Sequence, residues 1–536
     1  MKNLFNYLMV VVMALVLVGC NNNADGDYRN AVADDALVVA RFDINQVLEK
    51  SGMKQELMSA AAMALAQEGV PQMFLDMTQD LNNSGIDVKQ PAFAYCSALA
   101  PQGQFIGVVA KVSSRSRLDN VGNYLLKKAE GELIKSNIDG CTVLHAINES
   151  DVAIAYNDVA IIIGGTDGTY SNSVDVKPIL VKALKNTLGG SVGGTVLPAY
   201  EGHDIAACVN MSAALELAKR EMHNDYNPEV AQVLAQMENL RGSTMNAAFN
   251  FAAGSIDYKM SWSNLPDMGL KQAPCTNENL KYVPMNALVV ANIAMDGNVI
   301  MSALKQAMAV NPQYKELLDD VIRDATNGTM NVNSVMPLVE PLVRSIKGDL
   351  TASFNNISQK YDYYSGGYDV KVDAAAMVNV VDRTILTTAA VPLMAAQEVT
   401  KIGNDSYSAN IDGITCYFGQ QNNALFAATP SPIYEQYVSA KSAAWYPAVQ
   451  NTYGYVVANI SAMLQNGAIR DEIESELGYS NDAKLIRQAL NTLDYVILTI
   501  PSNNSIEMRL VFVDERTNSL QQLVNIVAPA IMREMF

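Results

Sequence analysis

Ala36-Leu37-Val38-Val39-Ala40 recurs unchanged as Ala287-Leu288-Val289-Val290-Ala291, 251 residues further along the chain. Both copies are short apolar runs with β-branched valine at their centre, which predicts a strand. Two more pairs keep nearly the same spacing. Val209-Asn210-Met211-Ser212-Ala213 matches Ala458-Asn459-Ile460-Ser461-Ala462, and Ser255-Ile256-Asp257-Tyr258-Lys259 matches Ser505-Ile506-Glu507-Met508-Arg509. One apolar five-residue match is common by chance, whereas three in one order at one offset are not. The offset far exceeds a solenoid period and predicts two homologous halves. These are residues 31–265 and 281–536, joined by a polar linker at 266–280 that holds Pro266, Gly269 and Pro274. A finer echo pairs Ala40-Arg41-Phe42 with Val209-Asn210-Met211, and Ala291-Asn292-Ile293 with Ala458-Asn459-Ile460, so the halves divide again into four related units.

The order of elements follows from periodicity. Ala36–Phe42 is a strand. A helix follows, with Asn45 as the cap-type residue before Val47, Leu48, Met53 and Leu57. Ala92–Ala100 alternates, Pro101-Gln102-Gly103 turns, and Phe105–Val112 returns. Near the C-terminus Leu520, Leu523, Val527 and Ile531 fall at helical spacing. Hairpins alternating with amphipathic helices predict an α+β fold: two homologous halves, each a mainly antiparallel sheet with packed helices. The strand before the closing helix carries a basic residue in each unit (Lys111, Lys259, Lys371, Arg509), and an acid stands two positions earlier in three of them. Period two places both charges on one face, as on a solvated antiparallel sheet.

The N-terminus carries a different message. Lys2 precedes an apolar run, Leu4 to Val18, in which Asn6 is the only polar residue. That run is too short for the roughly 20 residues that span a bilayer. Leu17-Val18-Gly19-Cys20 then supplies the small residues and cysteine of a lipobox. Residues 1–19 therefore read as a lipoprotein signal peptide, Cys20 as the lipid attachment site and 20–30 as a polar tether. The formal charge of −18 and 17% charged residues suit an ordered, exported globular protein. No Lys/Arg-rich run offers the basic footprint that nucleic acid requires.

Reactive chemistry is sparse. Gly189-Gly190-Ser191-Val192-Gly193 fits the G-x-S-x-G nucleophile elbow, but a helical run precedes it where the elbow needs a strand. Serine hydrolysis through Ser191 is thus the alternative reading and no catalytic residue is assigned. His145, His203 and His223 are the only histidines, and none has a His, Cys or carboxylate neighbour at ligand spacing. No metal site and no cofactor is expected. Asp34-Asp35 and Asp319-Asp320 are adjacent pairs whose members face different directions, so neither is an acid/base couple by spacing. Beyond Cys20 the five cysteines are odd in number and lack CxxC spacing.

The chain has 24 tyrosines against 2 tryptophans. Tyr361, Tyr363, Tyr364 and Tyr368 gather around Ser365-Gly366-Gly367, which reads as a hairpin with tyrosine on both faces. Tyrosine gives rigid contact area and a hydroxyl at low entropy cost, so these four are the candidate binding residues.

The lipobox, the polar tether and the strand–helix opening from Ala33-Asp34-Asp35 through Leu48-Glu49-Lys50-Ser51-Gly52 resemble a family of Bacteroidetes envelope lipoproteins known only as a domain of unknown function. The second half keeps Ala287–Ala291 and departs at the Lys-Ser-Gly element. The resemblance implies an outer-membrane lipoprotein and brings no residue of known function. The expected role is a lipid-anchored envelope protein that binds or supports rather than catalyses, with an envelope protein or a glycan as partner and the membrane reached through Cys20. A role in assembling other envelope proteins is the further alternative.

Overall fold

The structure is a computed structural model. It describes residues 26–52, 84–98, 103–129, 131–147, 151–166, 174–188, 197–221, 237–264, 273–310, 312–325, 328–362, 367–382, 399–403, 405–411, 414–478 and 480–535, with a few single positions besides. The fold is α+β, and the chain forms two compact units. One comprises residues 1–266 with 516–528, the other residues 267–515 with 529–536.

In the first unit the repeated segment forms β1 (Ala36–Phe42), followed by α1 (Ile44–Ser51), β2 (Ala92–Ala98), β3 (Gln104–Lys111) and α2 (Arg115–Lys128). Four strands come next: β4 (Leu133–Ile138), β5 (Cys141–Ala146), β6 (Val152–Tyr156) and β7 (Ala160–Thr166). Then come α3 (Lys177–Asn186), β8 (Ile205–Asn210), α4 (Met211–Glu221), β9 (Thr244–Ala252) and β10 (Ser255–Ser263). Every pairing is antiparallel, and the sheet runs β10-β9-β8-β1-β2-β3-β7-β6-β5-β4.

Alternation along the strands gives this sheet two apolar faces. On one, Phe105, Val109 and Ile162 join Leu180 and Leu184 of α3. On the other, Ile161 and Ile154 join Leu118 and Val121 of α2. Two glycines make the first face possible. Tyr95, Gly107 and Gly164 lie in register across three strands. A Cβ on Gly107 would sit 2.6 Å from the Tyr95 ring, and one on Gly164 only 2.4 Å from Phe105. The two rings fill that space and meet at 5.8 Å. Asp43, rather than Asn45, caps α1: its side chain accepts from the Gln46 amide, while Asn45 donates to Glu49 on the helix surface.

The second unit begins its sheet with β11 (Val289–Asp296), then α5 (Gly297–Val310), α6 (Pro312–Ala325), α7 (Val332–Ser345), β12 (Ile346–Asp362) and β13 (Gly367–Val380). β14 (Thr400–Lys401), β15 (Ser406–Ile411), β16 (Ile414–Gln421) and β17 (Ala424–Thr429) follow. The unit ends with α8 (Tyr446–Val449), β18 (Gly454–Asn459), α9 (Ile460–Gln465), α10 (Gly467–Leu477), α11 (Asn481–Thr492), β19 (Leu493–Ser502) and β20 (Ser505–Phe512). Its sheet runs β20-β19-β18-β11-β12-β13-β17-β16-β15-β14, again antiparallel throughout. This is the strand order of the first unit, position for position. The repeated segments also share a register: Val38 faces Val209, and Val289 faces Ala458.

Residues 273–280, expected within a solvated linker, are built into the second unit. Leu280 is fully buried and Asn277 and Asn279 nearly so. The reason is Asp349 on β12, which has no solvent exposure. Its carboxylate accepts from the amides of Thr276 and Asn277 at 2.9 and 2.6 Å, and from the Thr276 hydroxyl and Asn292 side chain at 3.1 and 3.2 Å. Asn277 in turn accepts from Asn292 and Tyr455, and Asn279 donates to Thr351 and Asn379. A buried charge is tolerable only when hydrogen bonded, and here neutral donors supply all of those bonds. Burial pushes the Tyr455 hydroxyl far above its usual range, so it remains a donor.

Candidate functional site

Four tyrosines near the Ser-Gly-Gly turn are the binding residues expected from sequence, and the local architecture explains the exposure of Tyr361 and Tyr368. β12 pairs with β11 only from Lys347 to Phe354. β13 pairs with β17 only from Ala374 to Asn379. β17 ends at Thr429 because Pro430 follows, and proline cannot donate to a ladder. Beyond these limits Asn356–Asp362 and Gly367–Asp373 pair, among the described residues, with each other alone. They form a two-stranded ribbon about 20 Å long, taking a rise of roughly 3.3 Å per residue. The equivalent hairpin of the first unit ends its ladder at Ala98 and Gln104.

The ribbon's two faces differ. Tyr361 stands opposite Tyr368, Gln359 opposite Val370 and Ile357 opposite Val372. On the reverse face Lys371 stands opposite Ser358. Tyr361, Tyr368 and Val370 are 44%, 67% and 44% exposed. The two tyrosine rings meet edge to face at 5.4 Å, a geometry that favours aromatic pairs and stiffens the ribbon. The base is braced by Asn466, which caps α10 and donates to Asn356 Oδ1 at 2.8 Å and to the Ile357 carbonyl at 2.9 Å. Isolated hairpins are marginal in water, so this brace and the ring pair matter to the ribbon's persistence. The result is an exposed aromatic face on a two-stranded ribbon.

Tyr363, Tyr364, Cys20, Ser191 and His223 lie outside the described residues. His145 Nδ1 bonds to the carbonyl of Ala146 at 2.9 Å, and His203 packs against Tyr200 at 5.4 Å. His145 lies in β5 and His203 in the turn before β8, and among the described residues no carboxylate is shared between them. Among the described residues no group of three or more His, Cys, Asp or Glu could hold a metal ion. No disulfide joins Cys96, Cys141, Cys208, Cys275 or Cys416 among the described residues. Burial pushes Cys208 up to about 11 and Cys275 up to about 12, far from a reactive thiolate. The adjacent acids separate as well. Asp34 and Asp35 are exposed in a turn, while Asp319 accepts from the Val332 amide at 2.6 Å and Asp320 faces solvent.

Sequence reasoning missed one polar centre in the first unit. Lys50 donates to both oxygens of fully buried Asp204 at 2.8 Å and to Asn250 at 2.9 Å. Asp204 also accepts from the Phe251 amide at 2.6 Å. Charge balance and full hydrogen bonding make this a clamp between α1 and β9, and nothing in the local sequence around Asp204 signals it.

A family described as "Domain of unknown function (DUF4836)" matches residues 28–520. No curated protein matches the chain. A solved structure described as crystal form IV of TP0453 is similar at 11% identity and a TM-score of 0.23, covering 46% of this chain and 83% of that one.

Proposed function

We propose that this chain, which belongs to the DUF4836 family, is an exported lipoprotein held at the outer membrane through Cys20, and that its work is binding rather than catalysis. The observation that carries the reading is the N-terminal grammar: Lys2, the apolar run from Leu4 to Val18, and Leu17-Val18-Gly19-Cys20. A single acyl chain gives only marginal membrane affinity, and stable anchoring takes more than one; Cys20 at a new N-terminus offers both a thiol and an amine for them. The family in this reading is one of Bacteroidetes envelope lipoproteins. The tether in this proposal is the polar stretch after Cys20 and is shorter than the expected residues 20–30, because Tyr28, Asn30 and Ala31 belong to a short helix and are buried in the first unit.

The Tyr361–Tyr368 ribbon is the binding edge in this proposal, with an envelope protein or a glycan as its partner. Support comes from its exposed ring pair. The test of anchoring is detergent-phase partitioning of wild type and Cys20→Ala expressed in a host that processes lipoproteins. Wild type is expected in the detergent phase and Cys20→Ala in the aqueous phase. Equal partitioning of the two would refute the anchor.

A further inference from the structure

α6 stands apart from the other helices of the second unit. α5 and α7 are joined by two polar contacts: Lys305 reaches Glu340 at 2.7 Å, and Arg344 donates to the Asn298 side chain at 2.9 Å. α6 is fastened at its inner edge, where Asp319 accepts from the Val332 amide at the start of α7. Leu318 and Ile322 are half-buried on that side. The flank beside that side is apolar and uncovered. Tyr314, Leu317 and Val321 are 49%, 64% and 58% exposed, and their spacing sets them in one stripe along the helix. Beside the stripe runs a second row, Glu316, Asp320 and Asp324, exposed and four residues apart. Among the described residues none of these three carboxylates has an ion-pair partner.

We propose that this outer face of α6 docks a basic amphipathic helix of a partner protein, with its apolar stripe on Leu317 and Val321 and its lysines or arginines along the Glu316–Asp320–Asp324 row. Charge selects this occupant over the others. A second copy of the same face would bring its acidic row against an identical row. A membrane surface carries anionic headgroups and favours helices rimmed with lysine and arginine, the reverse of this rim. A helix laid in such a site reads the stripe through anchors three and four residues apart. This inference does not depend on the anchor at Cys20.

The probe is a fluorescent 18-residue peptide of leucine and lysine with helical amphipathic spacing, read by anisotropy against the full chain. A leucine–glutamate peptide of the same pattern, anionic vesicles and the chain's own sedimentation report the other occupants. Three double variants complete the test: Leu317→Ser/Val321→Ser, Asp320→Asn/Asp324→Asn, and Glu472→Gln/Glu476→Gln on α10 as a charge control. Circular dichroism verifies that each is folded. The leucine–lysine peptide is expected to bind, with a weakening of about tenfold or more in each α6 variant and little change in the α10 variant; every 1.4 kcal/mol is tenfold. Absence of binding, equal weakening in the α10 variant, or unchanged binding in Leu317→Ser/Val321→Ser would overturn the proposal. So would preferential binding of vesicles or of the acidic peptide, or a dimer dispersed by the α6 variants.

Discussion

Gly297 opens α5 where no side chain fits. A Cβ there would lie 1.6 Å from the carbonyl oxygen of Val343 on α7, against backbone that cannot rotate away. Gly297→Ala is therefore expected to push α5 from α7 and to lower stability by about 1–3 kcal/mol, the usual cost of overpacking. A urea midpoint shift with unchanged slope measures it, and a midpoint equal to wild type would show that the helices separate freely. Sequence offered no sign of this constraint, because the clash lies 46 residues away across a helix crossing. The same holds for Asp349 and Asp204. Their burial depends on strands and helices brought together by the sheet, and a lone aspartate at the start of a strand run reads locally as surface. By contrast, the exposure of Tyr361 and Tyr368 was legible. Tyrosines on either side of a tight turn pair across it, and alternation puts both on one ribbon face.

At the scale of elements, α2 illustrates how helices are fixed to the sheet. Asp119 on α2 accepts from Lys135 of β4 at 2.9 Å and from the Tyr156 hydroxyl of β6 at 3.0 Å. Burial pushes its carboxyl up, but the hydrogen bonds from Lys135 and Tyr156 outweigh this and hold it below the ordinary 3.8. A carboxyl lowered on folding stabilises the native state above its unfolded pKa, and the benefit is lost as pH falls through the folded value. The stability gap between wild type and Asp119→Asn is thus expected to be full above the ordinary carboxyl range and to shrink through the acid window below 3.8. A gap that stays constant through that window would remove the carboxylate from the account. Element types and order were readable from period and turn chemistry, as in the β2–β3 hairpin and the C-terminal helix that opens at Ser519. Boundaries were less so. Asp43 and Asn45 are both cap-type residues, and the choice between them rests on where the β1 backbone ends.

For the molecule as a whole, the repeated segment at Ala36 and Ala287 sits at the same place in two sheets of the same order. Each unit centres on an antiparallel pair, β1 with β8 and β11 with β18, flanked on both sides by a hairpin. That centre was legible because strand sequences there are short, apolar and repeated. The allotment of residues 516–528 to the first unit was not. It rests on long-range bonds, such as Asn518 to the Phe251 carbonyl at 2.8 Å and the Gly254 amide to the Thr517 carbonyl at 3.0 Å. The ribbon distinguishes the second unit from that shared plan, and the ribbon and the α6 face both present apolar side chains to solvent in a chain of net charge −18. The reading that joins these surfaces to a function is that they are displayed from a membrane by a lipid on Cys20. The most direct measurement is the mass of the N-terminal peptide of the mature protein extracted from membranes. The account predicts a chain that begins at Cys20 and carries added diacylglyceryl and acyl mass on that residue. An unmodified Cys20, or a mature chain that retains Met1, would contradict it.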